Sequence, residues 1–105
     1  MTSRKVKRFK SVKAEIFNKK WWINETEPQK LKTQLTALLV SSGFEIVDYV
    51  EHYFQPQGFT ALWLISESHL AVHTWPEESK TYIELSSCNL DKQKTFIKKM
   101  GGWEV

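Results

Sequence analysis

The 105-residue chain reads as an α+β fold, a two-layer sandwich of an antiparallel sheet with helices on one face. Three observations predict it. A strand-like segment is followed by a helical apolar stripe. Four strand-like runs then follow one another through turns of a few residues, too short for parallel crossovers. A second helical segment closes the pattern. Apolar residues make up 41% of the chain, enough for a core, and the length suits one domain, taken as residues 1–105.

Val12 to Asn18 reads as the first strand, with Val12, Ala14 and Ile16 on one face. Lys19-Lys20-Trp21-Trp22 reads as a loop whose indoles cap an edge of the core. Thr26 opens a helix, with Gln29 three residues on as in a capping box and Pro28 in the first turn. Leu31, Leu35, Leu38 and Leu39 form its buried stripe, and Gly43 ends it. Phe44 to Phe54 is a strand, Gln55-Pro56-Gln57-Gly58 a turn, and Phe59 to Ile65 a strand whose near-continuous apolar character predicts burial on both faces. Leu70–Trp75 and Thr81–Ser87 are strands joined by a turn at Pro76–Ser79. The last helix runs from about Leu90 to Met100, with Asn89 as N-cap, Phe96, Ile97 and Met100 inward, and Gly101-Gly102 as the stop. Trp103–Val105 is a short end with some strand character. The face of the sheet away from the helices must be polar or covered. Trp63 and the other aromatics predict a second subunit there.

The totals exclude several classes. No apolar run approaches the ~18 residues of a membrane span. The basic N-terminal stretch lacks the apolar segment of a secretory signal, and a single cysteine, Cys88, rules out an internal disulfide. A cytoplasmic protein without a membrane partner is expected. The net charge is +3, with Arg4, Lys5, Lys7, Arg8 and Lys10 crowded at the start. This cluster reads as a solvated tail. A nucleic-acid partner is not expected, because no aromatic platform accompanies the charge.

The chemistry concentrates in Ile65-Ser66-Glu67-Ser68-His69-Leu70-Ala71-Val72-His73-Thr74-Trp75-Pro76-Glu77 and in Cys88. Residues four apart on a strand share a face, so His69 and His73, with Cys88, are one candidate metal set. Their spacing is not that of a structural zinc site, and no metal is expected. A serine or thiol nucleophile with His73 is a second reading, although the G-x-S-x-G elbow is absent.

A third reading comes from similarity. Ser-Glu-Ser-His-Leu-Ala-Val-His-Thr-Trp-Pro-Glu resembles the processing site of the small prokaryotic S-adenosylmethionine decarboxylases, pyruvoyl enzymes of polyamine synthesis. Phe54-x-Pro-x-Gly58 upstream and Cys88 twenty residues after Ser68 fit the same pattern, and the specific match covers Phe54 to Cys88. The resemblance implies that the Ser68 hydroxyl attacks the carbonyl of Glu67. The ester then breaks by β-elimination between residues 67 and 68, and Ser68 becomes a pyruvoyl group. It implies that His73 is the base of this maturation and that Thr60, where the family typically has serine, assists it. Cys88 would protonate the product carbon, Glu77 would bind the ribose, and Phe54, with Trp75 as a second wall, would pack the adenine.

The residue types suit that chemistry. Decarboxylating an amino acid needs an electron sink, and a ketone at Ser68 that condenses with the substrate amine provides one. A thiol is a reasonable acid at neutral pH. The expected partners are a small-molecule substrate and a second copy of the chain in a homodimer. S-adenosylmethionine, feeding spermidine synthesis, is the leading substrate. Arginine or ornithine on the same scaffold, or a non-catalytic regulatory paralogue, are the alternatives.

Overall fold

The computed structural model describes residues 14–66 and 68–101. The elements are β1 (Phe17–Ile23), α1 (Pro28–Ser41), β2 (Ile46–Tyr53), β3 (Phe59–Ile65), β4 (Ser68–Trp75), β5 (Lys80–Ser87) and α2 (Leu90–Lys99). A single 3-10 turn, Pro76–Glu78, links β4 to β5. The strands form one sheet in the order β1-β5-β4-β3-β2, and every neighbouring pair is antiparallel. This is the expected α+β sandwich, with β4 as the central strand. Among the described residues no helix is long and apolar enough to cross a membrane.

Several local expectations are corrected. The first strand is Phe17–Ile23 rather than Val12–Asn18, so Lys19–Trp22 lie within a strand and not in a loop. Pairing with β5 decides this register: Trp21 and Ile23 alternate inward opposite Ile83 and Thr81, whereas Ile16 remains exposed. Trp21 meets Phe96 edge-on at 6.4 Å, while Trp22 points to the other face. The cap of α1 is Glu27, not Thr26. Pro28 occupies the first helical position, so the cap falls on the residue before it, and the Glu27 carboxylate accepts the Lys30 N–H at 2.9 Å. Strand β2 is shorter than Phe44–Phe54 at both ends. Ile97 is half-buried, whereas Phe96 and Met100 are fully inside. Asn89 caps α2 as expected, its Oδ1 accepting the Lys92 N–H at 3.0 Å. The basic residues from Arg4 to Lys10, Val12, Glu67, Gly102 of the expected helix stop and Trp103–Val105 lie outside the described residues.

The core forms between the helices and one face of the sheet. Leu31, Leu35 and Leu39 of α1 and Phe96 of α2 meet Ile23, Phe59, Ala61, Trp63, Ile65, Leu70, Val72, Ile83 and Leu85. Polar ties fix the two layers. The Trp63 indole donates to Thr36 Oγ1 at 3.0 Å, and the Gln93 amide donates to the carbonyls of Phe17 and Leu85 at 2.6 and 3.2 Å. Trp63 therefore belongs to the helix side and not to a subunit interface. Strand β3 is buried on one face only. Phe59, Ala61, Trp63 and Ile65 point inward, and Leu62 and Leu64 point outward. A continuous apolar run hides this alternation, because both of its faces are apolar for different reasons.

Among the described residues no helix lies over the outward face. It exposes Val50, Leu62, Leu64, Trp22 and Trp75, each 38% or more accessible. The same face carries the candidate residues Thr60, His73 and Trp75.

Candidate active site

The registers line up one rank of side chains across the open face. His52 stands opposite Thr60, Thr60 opposite His73, His73 opposite Tyr82, and Tyr82 opposite Trp22. Thr60 Oγ1 and His73 Nδ1 are 3.0 Å apart and share one proton. Thr74 helps hold that register from the other face, its Oγ1 accepting the Phe59 N–H at 2.9 Å. The His73 ring stacks on Tyr82 (6.2 Å, 22°) and stands edge-on to Trp75 (6.5 Å, 67°). Trp22 closes the cluster, 5.7 Å from Trp75 and 5.4 Å from Tyr82, with Lys80 Nζ 4.9 Å from its ring centre. An imidazole bonded to a hydroxyl and walled by rings is a positioned proton carrier beside a surface for flat or cationic ligands.

Phe54 and Glu77 belong to the same end of the sheet. Phe54 follows β2, half-exposed, 4.5 Å from the His52 ring, and its N–H donates to the Gly58 carbonyl at 2.8 Å. Glu77 lies in the β4–β5 turn, where its Oε1 accepts from the Gln57 amide at 3.4 Å. That contact ties the two loops of this end together.

Ser68 and Cys88 occupy the opposite end. Ser68 is the first residue of β4, paired with Ile65 and Ser87 and half-buried. Cys88 directly follows Ser87, is exposed, and shares a cavity of about 400 Å³ with Ala14, Glu15 and Ile16. The hairpin just before Ser68 is anchored by Ser66, whose N–H donates to the Glu45 carbonyl at 2.9 Å and whose hydroxyl donates to the Glu45 carboxylate at 3.2 Å.

The structure thus brings the candidates together in two groups. Ser68 and Cys88 lie at one end, Cys88 next to the register partner of Ser68, and Phe54, Thr60, His73, Trp75 and Glu77 gather toward the other. Ser68 and His73 are not neighbours. Five residues of strand at ~3.3 Å each separate them by about 17 Å, and an odd spacing puts them on opposite faces. His69 and His73 share a face, but four residues separate them by about 13 Å, too far to hold one ion between them.

Residues 22–100 match the family model described as S-adenosylmethionine decarboxylase. The chain belongs to the S-adenosylmethionine decarboxylase family. The "S-adenosylmethionine decarboxylase proenzyme" of Syntrophomonas wolfei is 35% identical over 77 residues, 73% of this chain and 60% of that protein. That of Prochlorococcus marinus (strain MIT 9313) is 38% identical over 58 residues, 55% of this chain and 46% of that protein. The chain spans about half the length of several curated relatives it matches. Among solved structures, the adenosylmethionine decarboxylase of Aquifex aeolicus superposes with a TM-score of 0.69 at 19% identity, over 83% of this chain and 78% of that one. That likeness extends to the fold.

Within this S-adenosylmethionine decarboxylase-family chain, three residues that the structure places beside the candidate residues were not singled out from the sequence. Tyr82 and Trp22 become visible only once β5 and β1 are in register with β4. His52 lies in a strand of mixed polarity, and only the β2–β3 pairing places it opposite Thr60. Its spacing of two from Phe54 on an extended strand was the available signal.

Proposed function

We propose that the chain is a proenzyme that cuts itself between Glu67 and Ser68 and then decarboxylates S-adenosylmethionine, supplying aminopropyl groups for spermidine. The observation that carries this reading is the Thr60–His73 pair, bonded at 3.0 Å on the face of the strand that begins at Ser68. The names of the proenzyme relatives support it.

Maturation needs a base for the Ser68 hydroxyl proton. The ester that forms at Glu67 breaks by elimination, one water enters, and one ammonia leaves to give a ketone at residue 68. The position suits that group: Ser68 stands at a strand end, one residue in register from Cys88 and its cavity. Once formed, the pyruvoyl group supplies the electron sink that decarboxylation requires. Around it, the Cys88 thiol delivers a proton to the substrate carbon. Glu77 accepts the ribose hydroxyls, and Phe54 and Trp75 present ring faces to the adenine and sulfonium.

The base comes from a second copy of the chain. His73 of the same chain stands about 17 Å from Ser68, beyond the reach of any imidazole. Two sheets packed through their open faces, about 10 Å apart, solve this when the two-fold axis runs across the strands. Central β4 then lies over its own copy, with the axis near Leu70–Ala71, midway between Ser68 and His73. Each Ser68–Cys88 end then lies over the Thr60–His73 end of its partner, and two equivalent sites form when Ser68, the first residue of β4, turns its hydroxyl around the strand end from the helix face to the open face. The exposed Leu62, Leu64, Val50, Trp22 and Trp75 are covered in the same step.

The test is release of carbon dioxide from carboxyl-labelled S-adenosylmethionine, arginine and ornithine by the full chain. Release from S-adenosylmethionine alone is expected. Release only from arginine or ornithine would overturn the substrate assignment, and release from none would overturn the activity.

A further inference from the structure

We propose that His52 is a positioning residue that sets the Phe54 ring as the seat for the nucleobase. This rests on the function proposed above and adds a residue to it. Phe54 is half-exposed at the end of β2. An aromatic side chain there rotates between rotamers, and a stacking wall must be held in one of them.

Two features do the holding. The backbone is fixed by the Phe54 N–H bond to the Gly58 carbonyl at 2.8 Å. Gly58 sits at φ +118, a backbone conformation that residues with a Cβ rarely adopt, so glycine is what lets the turn present its carbonyl to Phe54. The ring is met by His52, centroid to centroid 4.5 Å, at an interplanar angle of 69°. His52 is two residues before Phe54, so both side chains leave the strand on the open face.

His52 also reaches toward the proton-carrying pair. It stands opposite Thr60 in the ladder, and both line a cavity of about 240 Å³ with Val50, Glu51 and Leu62. The wall that receives the base and the Thr60–His73 pair are thus built from one rank, with His52 as the joint. A shift of the His52 ring moves Phe54 without touching Ser68 or Cys88.

The test compares full-length wild type, His52→Ala and His52→Phe. It reads KM and kcat for S-adenosylmethionine, the Kd of 5′-methylthioadenosine and the extent of self-cleavage. His52→Ala should raise both KM and Kd about 3- to 10-fold, the worth of one aromatic pair, with kcat and cleavage unchanged. His52→Phe keeps the ring contact and should restore both to within about twofold of wild type. Wild-type values in His52→Ala would overturn the inference alone. A loss of kcat or cleavage at unchanged KM would also overturn it, by placing His52 in the chemistry. Failure of His52→Phe to rescue would refute ring packing as the cause. A wild type that does not bind 5′-methylthioadenosine would overturn the inference together with the function on which it rests.

Discussion

Two variants that each fail to cleave, Ser68→Ala and His73→Ala, are expected to rescue one another. Ser68→Ala lacks the nucleophile, and His73→Ala lacks the base. In a homodimer of either, both sites lack an essential group. In a mixed dimer, the intact Ser68 of the His73→Ala chain meets the intact His73 of the Ser68→Ala chain, and one site of the two is complete. The magnitude follows from the sheet. The 17 Å estimate for five strand residues leaves no contribution from His73 within its own chain, so cleavage requires the mixed pair. With equal amounts and random pairing, about half of the His73→Ala chains have a Ser68→Ala partner, so cleavage should plateau near half of them. The Ser68→Ala chains stay intact. Neither Ser68 nor His73 belongs to the buried core, and unfolding midpoints of the two single variants check that each folds. The assay is to unfold and refold the two chains together, carrying tags of different mass, and to follow each by mass spectrometry. No cleavage in the mixture would refute the shared site. Cleavage of His73→Ala alone would refute His73 as the base.

Three other outcomes follow from the packing and electrostatics. Trp63→Ala should cost about 3–5 kcal/mol in urea unfolding, because the ring is 1% exposed and its N–H bond to Thr36 is lost. Asn89→Ala removes the cap bond to Lys92 and should cost about 0.5–2 kcal/mol, with reduced helical signal from α2. Burial, and then the hydrogen bond to Glu51, push the Tyr49 hydroxyl pKa up from its ordinary value. The unfolded chain therefore loses this proton first as pH rises, and stability should fall from about pH 10 upward. Tyr49→Phe should flatten that alkaline decline, read from unfolding midpoints across the range.

Much of the site was legible because short hairpins fix registers. With Ile65 and Ser68 paired across the β3–β4 turn, Thr60 must fall opposite His73. Once the next turn is set, Ser87 falls opposite Ser68, and Cys88, twenty residues after Ser68, stands one residue past that partner. The edge strand had no such anchor. Val12–Asn18 and Phe17–Ile23 both alternate, and only the long-range pairing with β5 selects the second. The apolar run of β3 concealed which face was covered, since Leu62 and Leu64 are as apolar as Ala61 and Trp63. The distance between Ser68 and His73 was implicit in their spacing of five. Its consequence emerges only when both stand on one uninterrupted strand.

Self-cleavage is the step on which the rest depends, and intact mass measured over time on the full-length chain tests it most directly. Two fragments, residues 1–67 and 68–105, should accumulate, their masses adding to the intact chain plus one water and minus one ammonia. Ser68→Ala should remain a single species. A wild-type chain that stays at its full mass after prolonged incubation at neutral pH, while folded and dimeric, would contradict a pyruvoyl enzyme built on Ser68.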